Sequence, residues 1–244
     1  MSETINLLQR LSLNGMAASL RHQLETNAFS DMGFEERLQV LAQAEVADRD
    51  NRRFDRIIRS AKLKVHAAPE KIDYRAGRGF TKATMADLLQ CDWVERNRNI
   101  LITGATGTGK TWIACALATR AARLGHNVVY RRTTRLLEEI MAARHAGTLK
   151  RTRSMLERAK VLVLDDFGLH PLTAQGRSDL SELLDDRDDT AATIIVGQMP
   201  VKDWHDYIND AFVADAILDR LTSRGTRLEL IGPSLRGDRA RKAA

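Results

Sequence analysis

The sequence predicts an α/β fold, a central parallel sheet flanked by helices and preceded by a small all-helical N-terminal domain. Three observations lead there. Residues 104–111, Gly-Ala-Thr-Gly-Thr-Gly-Lys-Thr, satisfy the phosphate-binding loop pattern G-x-x-x-x-G-K-[ST] at every fixed position. The apolar run Ile100 to Ile102 precedes this loop and helix formers from Trp112 to Ala118 follow it, which is the strand, loop, helix context such a loop needs. From Ile100 onward strand-like and helical patterns alternate, whereas no convincing strand comes before it.

The elements follow in order. Leu7, Leu8, Leu11 and Met16 fit one apolar helix face, with Asn14-Gly15 as a break. Phe34, Leu38, Leu41 and Ala42 recur at helical spacing, and Asp31 is placed to cap that second helix. Phe54, Ile57 and Ile58 carry the pattern onward. Residues 66–81 contain Pro69, Gly77 and Gly79 and read as a linker; a short helix is expected over 84–93. Strands are expected at 100–103, 127–131, 161–165, 192–196 and 227–231, and helices at 110–124, 133–145, 174–186 and 211–223. The division is therefore a helical domain over residues 1–66 and a nucleotide domain over 67–244.

The bulk numbers exclude several classes. A chain of 244 residues, 43% apolar and 29% charged, has the balance of a soluble globular protein. No stretch has the apolar length of a membrane span and no secretory signal is evident, so a cytoplasmic protein without membrane partners is expected. Cys91 and Cys115 form no C-x-x-C pair and read as reduced; the six histidines show no metal-ligand spacing.

The chemistry centres on the loop. Gly104, Ala105, Thr106, Gly107, Thr108 and Gly109 let backbone N–H groups approach phosphate, and the following helix turns its positive dipole end to the same anion. Lys110 should reach the β- and γ-phosphates of a nucleoside triphosphate and the Thr111 hydroxyl should coordinate magnesium, so ATP and Mg2+ are the expected ligands. Trp112 is counted with the nucleotide-binding residues, though like Trp93 and Trp204 it reads as a packing residue and not as part of a ligand cage. The apolar run Val161 to Leu164 ends in Asp165 and Asp166, a Walker-B arrangement in which Asp165 holds the metal and Asp166 orients the attacking water. Gln198, after the apolar run Thr193 to Val196, is a candidate sensor of the γ-phosphate.

These residues carry a family resemblance. The chain resembles the IstB-type ATPases, helpers of bacterial insertion sequences, and is more distantly similar to DnaC helicase loaders and DnaA, all AAA+ proteins. Beyond the Walker elements the carriers are Phe34 to Leu38, Gln198-Met199-Pro200 with Trp204, Ala216 to Leu221, and Gly232 to Arg236. The resemblance implies an AAA+ P-loop NTPase fold over 67–244, homo-oligomers formed through the ATP-bearing interface, and a cognate transposase as partner. It also implies that Arg220 acts as an arginine finger on a neighbouring subunit's ATP and that Arg236 acts as a second sensor. Gly197 departs from the Ser or Thr often found before the sensor residue, and Asp166 from a frequent Glu.

Charge points to a polyanion. Residues 49–64 hold seven basic and two acidic residues, and residues 144–160 six and one, so each segment is +5 in a chain of net charge +6. Arg49, Arg52, Arg53, Arg56 and Arg59 share one side of a helix and are expected to grip duplex DNA through its phosphates. Lys150, Arg151 and Arg153, in the connection before the Walker-B strand, are a second candidate DNA contact. The opposite imbalance, eight acidic and two basic residues over 165–190, reads mainly as a solvated helix. The function expected is ATP-dependent assembly on duplex DNA in aid of a transposase. A DnaC-like helicase loader is the alternative, and a small-molecule kinase leaves the basic segments without a purpose.

Overall fold

The computed structural model describes residues 3–74 and 77–235. By its internal contacts the chain divides into two compact units, residues 1–56 and 57–244. Among the described residues no helix is long and apolar enough to cross a membrane.

The first unit is helical: α1 (Glu3–Arg10), α2 (Asn14–Glu25) and most of α3 (Phe34–Ala61). A Cβ on Gly15 would stand 2.4 Å from the Ala44 carbonyl oxygen, so the backbones of α2 and α3 touch where only glycine fits. At that crossing the Glu45 carboxylate accepts the N–H groups of Gly15 (2.8 Å) and Met16 (3.3 Å), two first-turn donors of α2 that would otherwise lack a partner. Arg49 hydrogen-bonds the same carboxylate and, with those N–H groups, holds its pKa below the usual glutamate value. The break before α2 falls at Leu11 to Leu13, and Asn14 begins the helix. Asp31 does not cap α3. The helix starts at Phe34, the Gly33 carbonyl accepts from Arg37 N–H, and Glu36 reaches back to Gly33 N–H at 3.0 Å, so Gly33 is the cap.

The second unit holds the sheet. Its strands are β1 (Ile100–Gly104), β2 (Val128–Arg132), β3 (Val161–Phe167), β4 (Ala192–Gly197) and β5 (Thr226–Leu230), in the order β2-β3-β4-β1-β5. Every pairing is parallel. Because both faces are covered, β1, β3 and β4 are buried along nearly their whole length and read as continuous apolar runs. The helices are α4 (Lys82–Gln90), α5 (Asp92–Glu95), α6 (Lys110–Arg123), α7 (Thr133–His145), α8 (Leu149–Glu157), α9 (Ala174–Arg187), α10 (Trp204–Ile208) and α11 (Ala211–Thr222). The alternation expected from Ile100 onward is present, with α8 and α10 added.

Most of the acidic excess after β3 is exposed, as a solvated helix face would be, but part of it is paired and Asp179 is buried. Asp179 and Glu182 on α9 pair with Arg144 of α7 and Arg153 of α8, while Asp185 and Asp189 pair with Arg220 and Arg224. Arg187, also on α9, is 1% exposed. It donates to the carbonyls of Leu156, Ala159 and Ala192 and to the Thr193 hydroxyl, tying α8, α9 and β4 together. Burial brings its pKa down to about 10, so it stays charged at neutral pH.

Candidate functional site

The site forms at the carboxyl ends of β1, β3 and β4, where a parallel sheet leaves a crevice. β4 lies between β1 and β3, so the loops after these strands converge on one cavity of about 530 Å³, a volume suited to a small-molecule ligand.

The phosphate-binding loop connects β1 to α6. Gly104 has φ +138°, and a Cβ there would lie 2.1 Å from the Leu230 carbonyl oxygen of β5. Gly109, at φ +96°, turns the chain into α6, whose first residue is Lys110. Lys110 is 8% exposed, and its Nζ donates to the carbonyls of Gly104 (2.7 Å) and Ala105 (2.8 Å) across the loop. Thr106, Gly107, Gly109, Thr111 and Trp112 line the cavity, and Thr108 is buried beneath it.

The second half comes from β3. The Asp165 side chain is 1% exposed, and its carboxylate accepts the Thr111 hydroxyl at 2.9 and 3.1 Å. It also accepts the Tyr130 hydroxyl at 2.6 Å and the Asp166 N–H at 2.9 Å. Asp166 has φ +59°, in the left-handed region, and the β3–β4 register is irregular between Leu164 and Phe167. Its side chain stays partly exposed at the cavity, with Arg132 Nε 3.4 Å away. A hydroxyl and two carboxylates gathered in this way are hard oxygen donors that suit magnesium. Glycine-lined backbone beside Lys110 suits a polyphosphate, and Val65, Leu169, Met199 and Leu235 add apolar lining that could take a base.

Gln198 lines the same cavity, and its side-chain carbonyl accepts the Thr106 hydroxyl at 2.8 Å. Arg220 lies elsewhere. It is on α11, where its Nε donates to Asp185 at 2.9 Å and its Nη1 to the Ala216 carbonyl. Arg236 lies outside the described residues, but the segment leading to it reaches the loop: Leu235 N–H donates to the Gly107 carbonyl at 2.9 Å.

Among the expected DNA contacts, the five arginines from Arg49 to Arg59 all lie on α3 and all are exposed. Arg49 and Arg52 pair with Glu45 and Asp48 one turn earlier. Lys150, Arg151 and Arg153 sit on α8, a helix where a connection was expected; Lys150 and Arg151 are exposed, and Arg153 turns to Glu182. Cys91 and Cys115 are buried, and burial pushes both thiols up to about 11, leaving them poor nucleophiles.

Three side chains at the site escaped the sequence reading. Tyr130 on β2 orients Asp165; burial first, and then that carboxylate, push its phenol far above the usual range, so it remains a donor. Arg78 is 7% exposed and donates to the Thr108 carbonyl at 2.6 Å, bracing the loop from behind. Lys64 approaches Asp165 and Asp166 at 3.5 and 3.7 Å. In the sequence Lys64 reads only as an extension of the basic run that starts at Arg49, and Tyr130 neighbours the Walker-B strand in the sheet but not along the chain.

Residues 6–243 match the family described as IstB-like ATP binding protein. An insertion sequence ATP-binding protein of Sinorhizobium fredii, y4pL, is 38% identical over 98% of this chain and 98% of its own length. That of IS1162 from Pseudomonas fluorescens is 42% identical over 81% of this chain and 86% of its own. Among solved structures, the DnaC helicase loader superposes with a TM-score of 0.58 at 17% identity, covering 70% of this chain and 100% of the loader. AMPPCP-bound DnaA from Aquifex aeolicus gives 0.58 at 17% identity over 75% of this chain and 56% of its own. The two structures share the fold. The chain belongs to the IstB-like ATP-binding family and is an AAA+ ATPase related to insertion-sequence proteins.

Proposed function

We propose that this IstB-like protein assembles on duplex DNA in an ATP-dependent manner and assists a cognate transposase, by selecting the target site or activating the enzyme. The observation that carries the reading is the joining of Thr111, Asp165 and Lys110 at one cavity, in a chain whose full-length relatives are insertion-sequence ATP-binding proteins.

The residues divide the work. The loop amides and Lys110 bind the triphosphate and neutralise its charge. Thr111 and Asp165 would hold the magnesium ion, which when bound withdraws charge from the phosphate oxygens. Tyr130 fixes the Asp165 carboxylate, and Asp166 accepts a proton from the attacking water. Gln198, bonded to Thr106 across the cavity, is placed to report whether the terminal phosphate is present.

Arg220 acts in trans on a neighbouring subunit's ATP. Its ion pair with Asp185 is half-exposed, so exchanging that partner for a phosphate costs little. In this reading residues 1–66 form the DNA- or partner-binding domain and residues 67–244 the ATPase. The exposed arginines of α3 supply contacts to the DNA backbone, with Lys150 and Arg151 as a lesser set. Hydrolysis resets the assembly.

Sedimentation of the protein on a long duplex tests this. Large complexes should form with ATP, disappear in Lys110→Ala and persist in Asp166→Asn. Nucleotide-independent binding, or a strong preference for single strands, would favour the helicase-loader alternative.

A further inference from the structure

Lys64 touches both Walker-B carboxylates, and the proposed function gives it no role. Two residues separate it from the end of α3 at Ala61, and the first of them, Lys62, at φ +55°, makes the turn. The backbone N–H groups of Lys64 and Val65 face the Cys115 thiol of α6, which seats this segment against the nucleotide unit. From there the Lys64 ammonium reaches 3.5 Å from Asp165 Oδ2 and 3.7 Å from Asp166 Oδ2. The hydrogen-bond donors to the Asp165 carboxylate are neutral, namely Thr111, Tyr130 and the Asp166 N–H. Arg132 answers Asp166 alone. Among the described residues, Lys64 is therefore the cation that spans the carboxylate pair.

We propose that Lys64 is a built-in counter-cation for Asp165 and Asp166 which a divalent metal must displace, so that metal–nucleotide loading releases the segment following α3. The inference rests on reading the cavity as a magnesium–nucleotide site. A carboxylate pair cannot hold an ammonium and a dication at contact distance without strong repulsion between the two. The dication prevails because the Lys64 pair is weak: its side chain is 36% exposed, and the four-carbon stem can swing to water at little cost. The consequence is a link between the cavity and the helix that carries the basic face. Lys64 withdraws when the metal enters, and the turn that it anchors is freed at the end of α3.

Two measurements test this. The first is the affinity of a fluorescent ATP analogue in EDTA and across a Mg2+ titration, for the native protein, Lys64→Gln and Lys64→Arg. Lys64→Gln should lower the Mg2+ midpoint by about fivefold, or about 1 kcal/mol, because a competitor is gone, while Lys64→Arg keeps the native midpoint. The second is hydrogen exchange over residues 62–66, which should quicken with Mg2+ and nucleotide relative to nucleotide in EDTA, and already be quick in Lys64→Gln. An unchanged midpoint with unchanged exchange would overturn the proposal. A raised midpoint would also overturn it and would make Lys64 a phosphate ligand instead. A native protein that binds no nucleotide at any Mg2+ concentration would overturn the reading of the cavity itself, and this inference with it.

Discussion

The two basic segments have the same net charge, yet the fold treats them differently. On α3 the arginines face solvent, and the pairs of Arg49 and Arg52 are made one turn earlier on the same helix. The Arg52–Asp48 pair can open without disturbing packing, and an exposed pair of this kind contributes little, whereas Arg49 pairs with the buried Glu45 carboxylate that also seats the first turn of α2. Around α8 the arginines reach across to another helix. Arg144 meets Asp179, whose side chain is 2% exposed, and Arg153 meets Glu182. There the charge is part of what holds α7 and α8 to α9. A count of basic residues therefore measures potential for a polyanion, and their partners decide how much of it remains available.

The internal cations of the α8–α9 region should matter most at Arg187. Replacing it by Leu should leave three buried carbonyls without donors and cost several kcal/mol, on the order of 3–5, in urea unfolding of the nucleotide unit. A loss under about 1 kcal/mol would mean that the α8–α9 region does not depend on its internal cations.

Next comes DNA affinity. Substituting Arg52, Arg53 and Arg56 with Ala should weaken duplex binding by well over about tenfold at moderate salt and flatten the salt slope by about three. The stability of the nucleotide unit should hold. Arg144→Ala reverses that pattern: about 1–3 kcal/mol of stability lost, because Asp179 is left buried without its partner, with duplex affinity changed less than about threefold.

A smaller effect sharpens the picture of the first unit. Glu45 has a lowered pKa in the folded state, so the stability it adds is present above the ordinary glutamate value and lost as pH falls through the folded one. Circular dichroism should therefore show the helical unit loosening below about pH 4.5, and Glu45→Gln should remove that acid-dependent part.

Much of this was legible in the sequence. The strands announce themselves as apolar runs such as Val161 to Leu164, and the loop at 104–111 fixes the crevice because its pattern, strand and helix agree. What stayed hidden shares one cause, which is partners distant along the chain. Leu149–Glu157 shows too few apolar residues to read as a helix, and its arginines are explained only once α9 lies beside them. Arg187 sits in an acidic run and reads as solvated, whereas folding surrounds it with carbonyls. Asp31 offered a plausible cap, but Glu36 returning to Gly33 fixed the start of α3 instead. Lys64, Arg78 and Tyr130 come from three separate segments and meet at the cavity or its loop only through tertiary structure.

The most direct measurement is the salt dependence of ATP-supported duplex binding for two matched variants, Arg52→Ala/Arg56→Ala on α3 and Lys150→Ala/Arg151→Ala on α8. If α3 is the main DNA surface, the α3 variant should lose about two units of salt slope and most of its affinity, while the α8 variant stays within about one unit of native. Equal losses, or a larger loss from α8, would contradict the account.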